Sequence, residues 1–239
     1  MAKTVLITGA NKGIGYETAR QLGEAGHRVW LGARDRGRGE AAVQALRDVG
    51  HDTRFLEIAV DDDASVRAAA QRVMEEDGKL DVLVNNAAIP GNYAGTIDQG
   101  LEDVRRVYET NLFGPIRVVY AFLPHLKAAG NGAIVNVSTG LASFGVMTDP
   151  QNPFYAVNLL GYNSSKAALN AVTVSFAKAL APFGIRVNSV NPGFVKTDFN
   201  NHTGHRTVEQ GAEILVRLAV SDEHGPTMGF FSDDGPLPW

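Results

Sequence analysis

Residues 4–15 read TVLITGANKGIG, a short apolar run that leads directly into a turn with three glycines. The run Thr4–Thr8 predicts a buried strand, and a helix is predicted from about Gly13 to Ala25. Glycines in such a turn let the backbone approach a pyrophosphate, and the N–H groups of the following helix favour negative charge there. The stretch therefore predicts a dinucleotide-binding strand–turn–helix unit, although a glycine-rich turn without a ligand is the alternative.

The same alternation of apolar strands and amphipathic helices continues along the chain. Strands are predicted at about 28–33, 54–60, 81–85, 133–138, 185–190 and 228–231. The longest helical stretch spans about 101–129, where Pro115 marks a break or a helix start. Strands that are apolar throughout predict a parallel sheet with helices on both faces. We expect a single α/β domain over residues 1–239, a doubly wound, Rossmann-type sheet of about seven strands, with substrate loops at about 139–161 and 194–207.

Composition limits the partners. A formal net charge of −4 disfavours nucleic acid and anionic membranes, which both need a basic surface. The chain has no cysteine, so disulfides and thiolate metal sites are excluded. His202 and His205 near Asp198 lack further ligands, and we expect no metal site. No apolar run approaches the ~20 residues that span a bilayer, and no signal peptide is expected. We expect a cytoplasmic protein with a small-molecule partner.

The end of the second strand, Gly32-Ala33-Arg34-Asp35, bears on the choice of dinucleotide. Sites for NAD place an acidic residue there for the ribose 2′-hydroxyl. Arg34, with Lys12 in the glycine turn, instead suits a 2′-phosphate, which a guanidinium binds in a bidentate manner. The alternative is that Arg34 is solvated and Asp35 is the ribose ligand.

Tyr162 and Lys166 lie one turn apart on a predicted helix, so their side chains share a face. A cation at ~5 Å would favour the phenolate by roughly 3 kcal/mol, or about two pKa units. The tyrosine would then act as an acid or base. Alone, this spacing also fits an ordinary helix face. Ser138, at the carboxyl end of the fifth strand, is either an oxygen-binding hydroxyl or a strand-end cap.

Taken together and in this order, these motifs resemble the classical short-chain dehydrogenase/reductase family, particularly its carbonyl-reductase-like members. The resemblance extends from Thr4 to about Phe231. Further matches are Asn85-Asn86-Ala87, Asn111, Asn188 and the segment Pro192–Thr197.

The resemblance implies an NADPH-dependent oxidoreductase that interconverts a carbonyl and an alcohol, with the tetrad Asn111, Ser138, Tyr162 and Lys166. Tyr162 would give its proton to the carbonyl oxygen, and Ser138 would hydrogen-bond the same oxygen. Lys166 would lower the pKa of Tyr162 and hold the nicotinamide ribose, while Asn111 would bind a water that links Lys166 to solvent. The implied NADP(H) ligands are Gly9, Asn11, Lys12, Gly13, Ile14, Gly15, Arg34, Val60, Asn86, Tyr162, Lys166, Pro192, Gly193, Val195 and Thr197.

Three departures from the family pattern stand out. Ala88 replaces a glycine after strand four, and Ala59 replaces the aspartate that meets the adenine, which leaves backbone groups at Val60. Tyr162 follows Ser138 by 24 residues, about twice the usual spacing. The extra residues, 147–161, are expected to shape the substrate mouth, alter assembly, or both. The apolar residues expected near this mouth are Phe144, Phe154, Leu159, Phe194 and Phe199.

Family members usually pair through two long helices, so a homo-oligomer (dimer or tetramer) is expected, and a monomer if the insertion blocks that face. Two other functions stay open. One is a protein that senses the redox state of the cofactor without turnover, since dinucleotide folds host such functions. The other is epimerisation or dehydration of a nucleotide sugar.

Overall fold

Strands and helices alternate along the chain in the computed structural model, which describes all residues from Met1 to Trp239. The strands are β1 Thr4–Thr8, β2 Arg28–Ala33, β3 Thr53–Glu57, β4 Val82–Asn85, β5 Ala133–Val137, β6 Arg186–Val190, β7 Phe230–Ser232 and β8 Gly235–Pro236. The helices are α1 Gly13–Glu24, α2 Arg36–Asp48, α3 Asp63–Asp77, α4 Leu101–Tyr108, α5 Gly114–Ala129, α6 Phe144–Met147, α7 Leu160–Leu180 and α8 Val208–Val220. No helix combines the length and the apolar character that a membrane span requires.

The strands form one sheet in the order β3-β2-β1-β4-β5-β6-β7-β8. All neighbouring pairs are parallel except β7 and β8, which form an antiparallel hairpin. The predicted single α/β domain is confirmed, with eight strands rather than about seven. The extra strand, Gly235–Pro236, has two residues and no apolar pattern, so periodicity does not reveal it.

Each central strand contributes to two cores because successive side chains point to opposite faces. Val5 and Ile7 of β1 pack in the cluster that contains Leu22 of α1 and Leu215 of α8. Leu6 joins the opposite cluster, with side chains from α3, α5 and α7. Burial on both faces explains why the strand sequences are apolar throughout rather than alternating.

The sheet order reverses at β1, which lies between β2 and β4. In sheets of this kind, ligands bind in the crevice outside the carboxyl ends of the strands at such a switch point. The glycine turn after β1 and the Asn85-Asn86 pair after β4 both lie at this edge. The fold therefore brings the predicted cofactor turn and the predicted catalytic strand ends to the same side.

The structure departs from the predicted elements in three places. The helical stretch 101–129 is divided by a π-helical turn, Glu109–Phe113, after which Pro115 lies in the first turn of α5. β3 ends at Glu57 rather than at residue 60. The predicted loop 139–161 contains a 3₁₀ turn and α6, because the Thr139 and Ser143 hydroxyls cap these two short elements.

Candidate active site

The glycine turn is packed so closely that side chains are excluded from it. A Cβ on Gly15 would lie 2.5 Å from Asn86 Nδ2, and one on Gly9 would lie 2.9 Å from Ala87 Cα. Gly9 and Gly13 also have positive φ angles of 65° and 60°. The N-terminus of α1 has no side-chain cap. Its N–H groups are therefore open to an anion, which fits a dinucleotide pyrophosphate.

Asn86 and Thr8 hold this turn in place. Asn86 Nδ2 donates to the carbonyls of Thr8 and Gly9 at 2.9 and 3.0 Å. The Thr8 hydroxyl accepts from the N–H groups of Asn86 and Ala87, both at 3.1 Å. Asn86 thus acts as a clamp on the turn in this structure, and its expected contact with the adenine ribose stays a prediction.

The two residues at the end of β2 differ in what they contact. Asp35 caps α2, because its carboxylate accepts from Arg38 N at 2.9 Å and pairs with the Arg38 guanidinium. These hydrogen bonds lower the pKa of Asp35. The Arg34 side chain is exposed and forms no ion pair. The Asp35 carboxylate is thus already hydrogen-bonded, while the Arg34 guanidinium has no ion-pair partner. This arrangement fits a 2′-phosphate better than a ribose 2′-hydroxyl.

The Lys12 side chain contacts the segment after β6 rather than Arg34. Its ammonium pairs with Asp198, in the segment after β6, at 2.7 Å. The expected role of Lys12 beside Arg34 at a 2′-phosphate stays a prediction.

Two further predicted cofactor positions contact the protein itself. The Val60 carbonyl accepts from Arg117 Nη1 at 2.7 Å, so this backbone group is already paired. The segment Pro192–Thr197 reaches the glycine turn, since a Cβ on Gly13 would lie 3.6 Å from the Thr197 methyl group. The crevice is thus bordered on one side by the glycine turn and on the other by the chain after β6.

Lys166 lies in the second turn of α7 and is 2% exposed. Its ammonium donates to the Val137 carbonyl at 2.6 Å, at the end of β5. Burial lowers the pKa of Lys166 to about 7. A large fraction of this lysine is therefore neutral at neutral pH when no cofactor contributes to its surroundings.

Burial also raises the pKa of the Tyr162 phenol well above its usual value. A hydrogen bond with the Thr139 side chain opposes this effect, and the nearby Tyr93 hydroxyl adds to it. No hydrogen bond joins Tyr162 to Lys166, whose ammonium is directed to the Val137 carbonyl. Burial therefore dominates the pKa of Tyr162, and the lowering expected from Lys166 stays a prediction.

Two hydroxyls lie where the chain leaves β5. Ser138 is the first residue after β5; its N–H donates to Val190 O at 2.7 Å, and its hydroxyl is buried without a partner. Thr139, the next residue, is half-buried, and hydrogen bonding with its side chain lowers the pKa of the Tyr162 phenol. The assignment of Ser138 as the oxygen-binding hydroxyl stays a prediction, and Thr139 is a second candidate.

Asn111 is the central residue of the π-helical turn and is fully buried. Its amide accepts from Ile89 N at 2.8 Å and donates to Ile89 O at 3.0 Å and to Ser165 Oγ at 3.2 Å. Asn111 thus ties three elements together next to α7. Sequence periodicity does not reveal the widened turn, although a polar residue in an apolar helix face is a signal for it.

Aromatic side chains from several loops line the expected mouth. Phe154, in the insertion, meets Phe194 edge to face at 5.9 Å, and Phe194 meets His205 at 6.0 Å. The Phe199 ring packs on Tyr162 at 5.5 Å. Tyr93 was not singled out from the sequence, yet its hydroxyl donates to the Phe199 carbonyl. Only the fold brings Tyr93 to this point.

The insertion packs against the loop after β4. Thr96 Oγ1 donates to Asn158 O at 3.1 Å, and Gly161 N donates to Gln99 Oε1 at 2.9 Å. Together with the Phe154–Phe194 contact, these bonds hold the insertion against the loop after β4 and the segment after β6. Its expected part in the substrate mouth stays a prediction.

The family is decided by comparison with known proteins. A family model described as short chain dehydrogenase matches residues 3–208. The chain belongs to the short-chain dehydrogenase family. As a member of this family, it is an oxidoreductase of the alcohol and carbonyl type.

Three relatives of this short-chain dehydrogenase illustrate the similarity. It is 37% identical to the short-chain dehydrogenase anuI of Penicillium roqueforti, over 96% of this chain and 93% of the relative. It is 36% identical to (+)-neomenthol dehydrogenase of Arabidopsis thaliana, over 95% of both chains. The NADPH-bound carbonyl reductase from chicken fatty liver superposes with a TM-score of 0.88 at 29% identity, over 100% of this chain and 99% of that one.

Proposed function

We propose that this short-chain dehydrogenase is an NADP(H)-dependent oxidoreductase that interconverts a ketone or aldehyde and an alcohol, with Tyr162 as general acid and base. The observation that carries the proposal is the position of the Tyr162 phenol. Its pKa is influenced by the Thr139 side chain, which follows β5, and its ring packs on Phe199 of the segment that follows β6, so the phenol lies at the edge where these strands end.

In reduction, Tyr162 donates its proton to the carbonyl oxygen as the electrons of the C=O bond move onto that oxygen. A phenol whose pKa is raised is protonated over the ordinary pH range, which is the form that this step requires. Thr139 donates a hydrogen bond to the same oxygen and stabilises the developing charge. When bound, the nicotinamide supplies the hydride that reaches the carbonyl carbon.

Lys166 and Asn111 complete the proposed proton path. Lys166, whose ammonium donates to the Val137 carbonyl, would hold the nicotinamide ribose and return a proton to Tyr162. Its pKa near neutrality suits this exchange. Asn111 fixes the widened turn next to α7 and would hold the water that connects Lys166 to solvent.

The proposed preference for NADPH is supported by the free Arg34 guanidinium and by the engagement of Asp35 as a helix cap. The carbonyl reductase from chicken fatty liver, a similar structure, is described as NADPH-bound. A bidentate guanidinium–phosphate contact has no counterpart in NADH.

For the substrate, we propose an uncharged, ring-bearing carbonyl compound. The rings of Phe154, Phe194 and Phe199 offer apolar faces and edges to such a ring. Arg206, whose backbone N–H donates to the Phe194 carbonyl at 3.1 Å, has its guanidinium paired with Asp233, so this cation is not available to an acidic substrate. The relative from Arabidopsis thaliana is named for a cyclic alcohol, which agrees with this class.

We further propose a homo-oligomer that uses the exposed faces of α5 and α7. Tyr120 is 65% exposed and its ring packs edge to face on Phe176 of α7 at 5.8 Å. Phe113, the last residue of the π-helical turn before α5, is also exposed. Light scattering tests this point: a dimer or tetramer that becomes monomeric on Tyr120→Arg supports it, and a monomeric parent protein refutes it.

The proposed function is tested by measuring NADPH and NADH oxidation with a panel of cyclohexanone, menthone, benzaldehyde, a quinone and a keto acid. Turnover of the ring ketones with NADPH, and its loss in Tyr162→Phe, is expected. Binding of NADPH without turnover of any carbonyl would instead support the cofactor-sensing alternative. Preference for NADH or for the keto acid would refute the finer assignments.

A further inference from the structure

The helix that carries Tyr162 and Lys166 begins without a side-chain cap of its own. Its N-cap residue, Leu159, has an extended backbone but no polar atom in its side chain. The first N–H groups of a helix have no partner within the helix and need acceptors from elsewhere. Because Tyr162 lies in this first turn, an acceptor that holds the turn also bears on the position of the phenol.

An acceptor comes from the loop between β4 and α4. Gln99 Oε1 accepts at 2.9 Å from the N–H of Gly161, the residue directly before Tyr162. Gln99 and Gly161 are 62 positions apart in the sequence, so this contact is a long-range helix cap. The amide packs closely on the start of α7, since a Cβ on Gly161 would lie 3.1 Å from Gln99 Nε2.

Asp103 fixes the direction of the Gln99 amide. Gln99 Nε2 donates to Asp103 Oδ2 at 2.7 Å, and the same oxygen accepts from Asn92 N at 3.0 Å. Hydrogen bonds, first that from Gln99, lower the pKa of Asp103, so this carboxyl is ionised at neutral pH. An ionised carboxylate only accepts hydrogen bonds. The amide must therefore turn its NH₂ group to Asp103, which leaves its oxygen for Gly161.

The long-range cap occurs where the chain departs from the family pattern. The extra residues, 147–161, lead into α7 through an apolar N-cap residue. Thr96, in the same loop as Gln99, donates from its hydroxyl to Asn158 O at 3.1 Å. The loop after β4 is thus bonded both to the end of the insertion and to the first turn of the helix that carries Tyr162.

We propose that Gln99 and Asp103 form a brace that positions the Tyr162 phenol for proton transfer, in place of a local N-cap on α7. Gln99 acts through Gly161, and Asp103 acts through Gln99. Both are therefore positioning residues, and neither is assigned a contact with substrate. The proposal rests on the proposed function, because it takes Tyr162 as the group that exchanges the proton.

The variant Gln99→Met tests the brace in the full chain. Methionine keeps the length of the side chain and removes both amide hydrogen bonds. The kcat for the ring ketone that the parent protein reduces fastest is expected to fall by about tenfold, a loss typical of a small displacement of a reacting group. The Kd of NADPH is expected to stay within about twofold, since the bonds of Gln99 go to α4 and α7.

The matched control is Gln71→Met. Gln71 is exposed on α3, and its amide donates at 2.8 Å to Glu75, four residues further on, as Gln99 does to Asp103. Gln71 caps no other helix. Its replacement is expected to leave kcat and the Kd of NADPH unchanged.

A local cap should make the brace dispensable. A serine at the N-cap accepts from an N–H two or three residues further on, and the residue two positions after Leu159 is Gly161. In the Leu159→Ser background, adding Gln99→Met is therefore expected to lower kcat by less than about twofold. Because the reference is Leu159→Ser itself, any effect of that change on the substrate mouth cancels.

Hydrogen exchange of the Gly161 amide, followed by NMR, reports on the cap without substrate. Gln99→Met is expected to speed this exchange by about fivefold, the usual size of a cap effect. In the Leu159→Ser background the same change is expected to have little effect on the exchange rate.

Three results would overturn the brace. An unchanged kcat in Gln99→Met would mean that the bond to Gly161 does not position the phenol. Equal losses of kcat and NADPH affinity would mean a general loosening of the site, and a tenfold loss that persists in the Leu159→Ser background would mean that Gln99 does not act as a cap. A parent protein that binds NADPH and reduces no carbonyl would refute the proposed function, whereas unchanged Gly161 exchange in Gln99→Met would refute the brace alone, so the two failures are distinguishable.

Discussion

Replacing Lys166 with methionine is expected to stabilise the cofactor-free protein while removing its activity. The lysine is 2% exposed, and its ammonium has one protein partner, the Val137 carbonyl. Methionine is similar in length, so it keeps most of the packing and removes the cost of burying a charge. The buried ammonium therefore lowers the stability of the protein.

The magnitude follows from the pKa of Lys166, which burial lowers from 10.5 to about 7. At 1.36 kcal/mol per pKa unit, the protonated lysine costs about 5 kcal/mol. The unfolded chain binds more protons than the native chain between these two values, so stability rises with pH across this window. The cost is complete below pH ~7 and disappears above ~10.5. After allowing ~1 kcal/mol for the lost hydrogen bond, Lys166→Met gains roughly 3 kcal/mol near pH 7.5 and nothing near pH 9.5.

Urea titrations of the two proteins near pH ~6, ~7.5 and ~9.5 measure this difference in free energy of unfolding. Lys178→Met is the matched control, because Lys178 lies exposed on the same helix and its removal should give no pH-dependent gain. A variant that is equally stable at every pH, or less stable near neutral pH, would refute the reasoning that the buried ammonium is strongly desolvated.

Three further predictions concern the site and its frame. Thr139→Val should lower kcat by about a hundredfold with little change in NADPH affinity, whereas Ser138→Ala should lower kcat by less than about threefold. The reverse order in steady-state kinetics would mean that Ser138 is the oxygen-binding hydroxyl. Gly15→Ala should weaken NADPH binding more than about tenfold by fluorescence titration, because its Cβ would lie 2.5 Å from an amide nitrogen; unchanged affinity would contradict this packing. Asp77→Ala should cost about 3 kcal/mol in urea unfolding, since the carboxylate is 3% exposed and accepts from Trp30 Nε1 at 2.7 Å; a loss under ~1 kcal/mol would argue against this bond.

The fold was predictable because burial on both faces leaves a strong signal in the sequence. Thr4–Thr8 is apolar or β-branched over its whole length, and Arg186–Val190 is buried at every position although it carries polar residues. The π-helical turn Glu109–Phe113 and the hairpin strand Gly235–Pro236 were missed, because neither changes the hydrophobic period that the prediction relied on.

The sequence predicted which residues form the candidate site better than it predicted their contacts. The one-turn spacing of Tyr162 and Lys166 indicated a shared face, but it could not reveal that the ammonium would bind the Val137 carbonyl or that burial would dominate both pKa values. Thr139 was not recognised as a second candidate hydroxyl, because its nearness to Tyr162 depends on how the chain turns after β5, which the sequence pattern does not reveal.

The central claim is that Tyr162 and bound NADPH together reduce a carbonyl compound. NADPH deuterated at nicotinamide C4 tests it most directly, with menthone and cyclohexanone as substrates and mass spectrometry of the alcohols. The account predicts one deuterium on the carbinol carbon with the parent enzyme, and none above background with Tyr162→Phe, whose affinity for NADPH stays within about threefold. Label transfer by Tyr162→Phe at the parent rate would contradict the account, as would a parent protein that binds NADPH and labels neither alcohol.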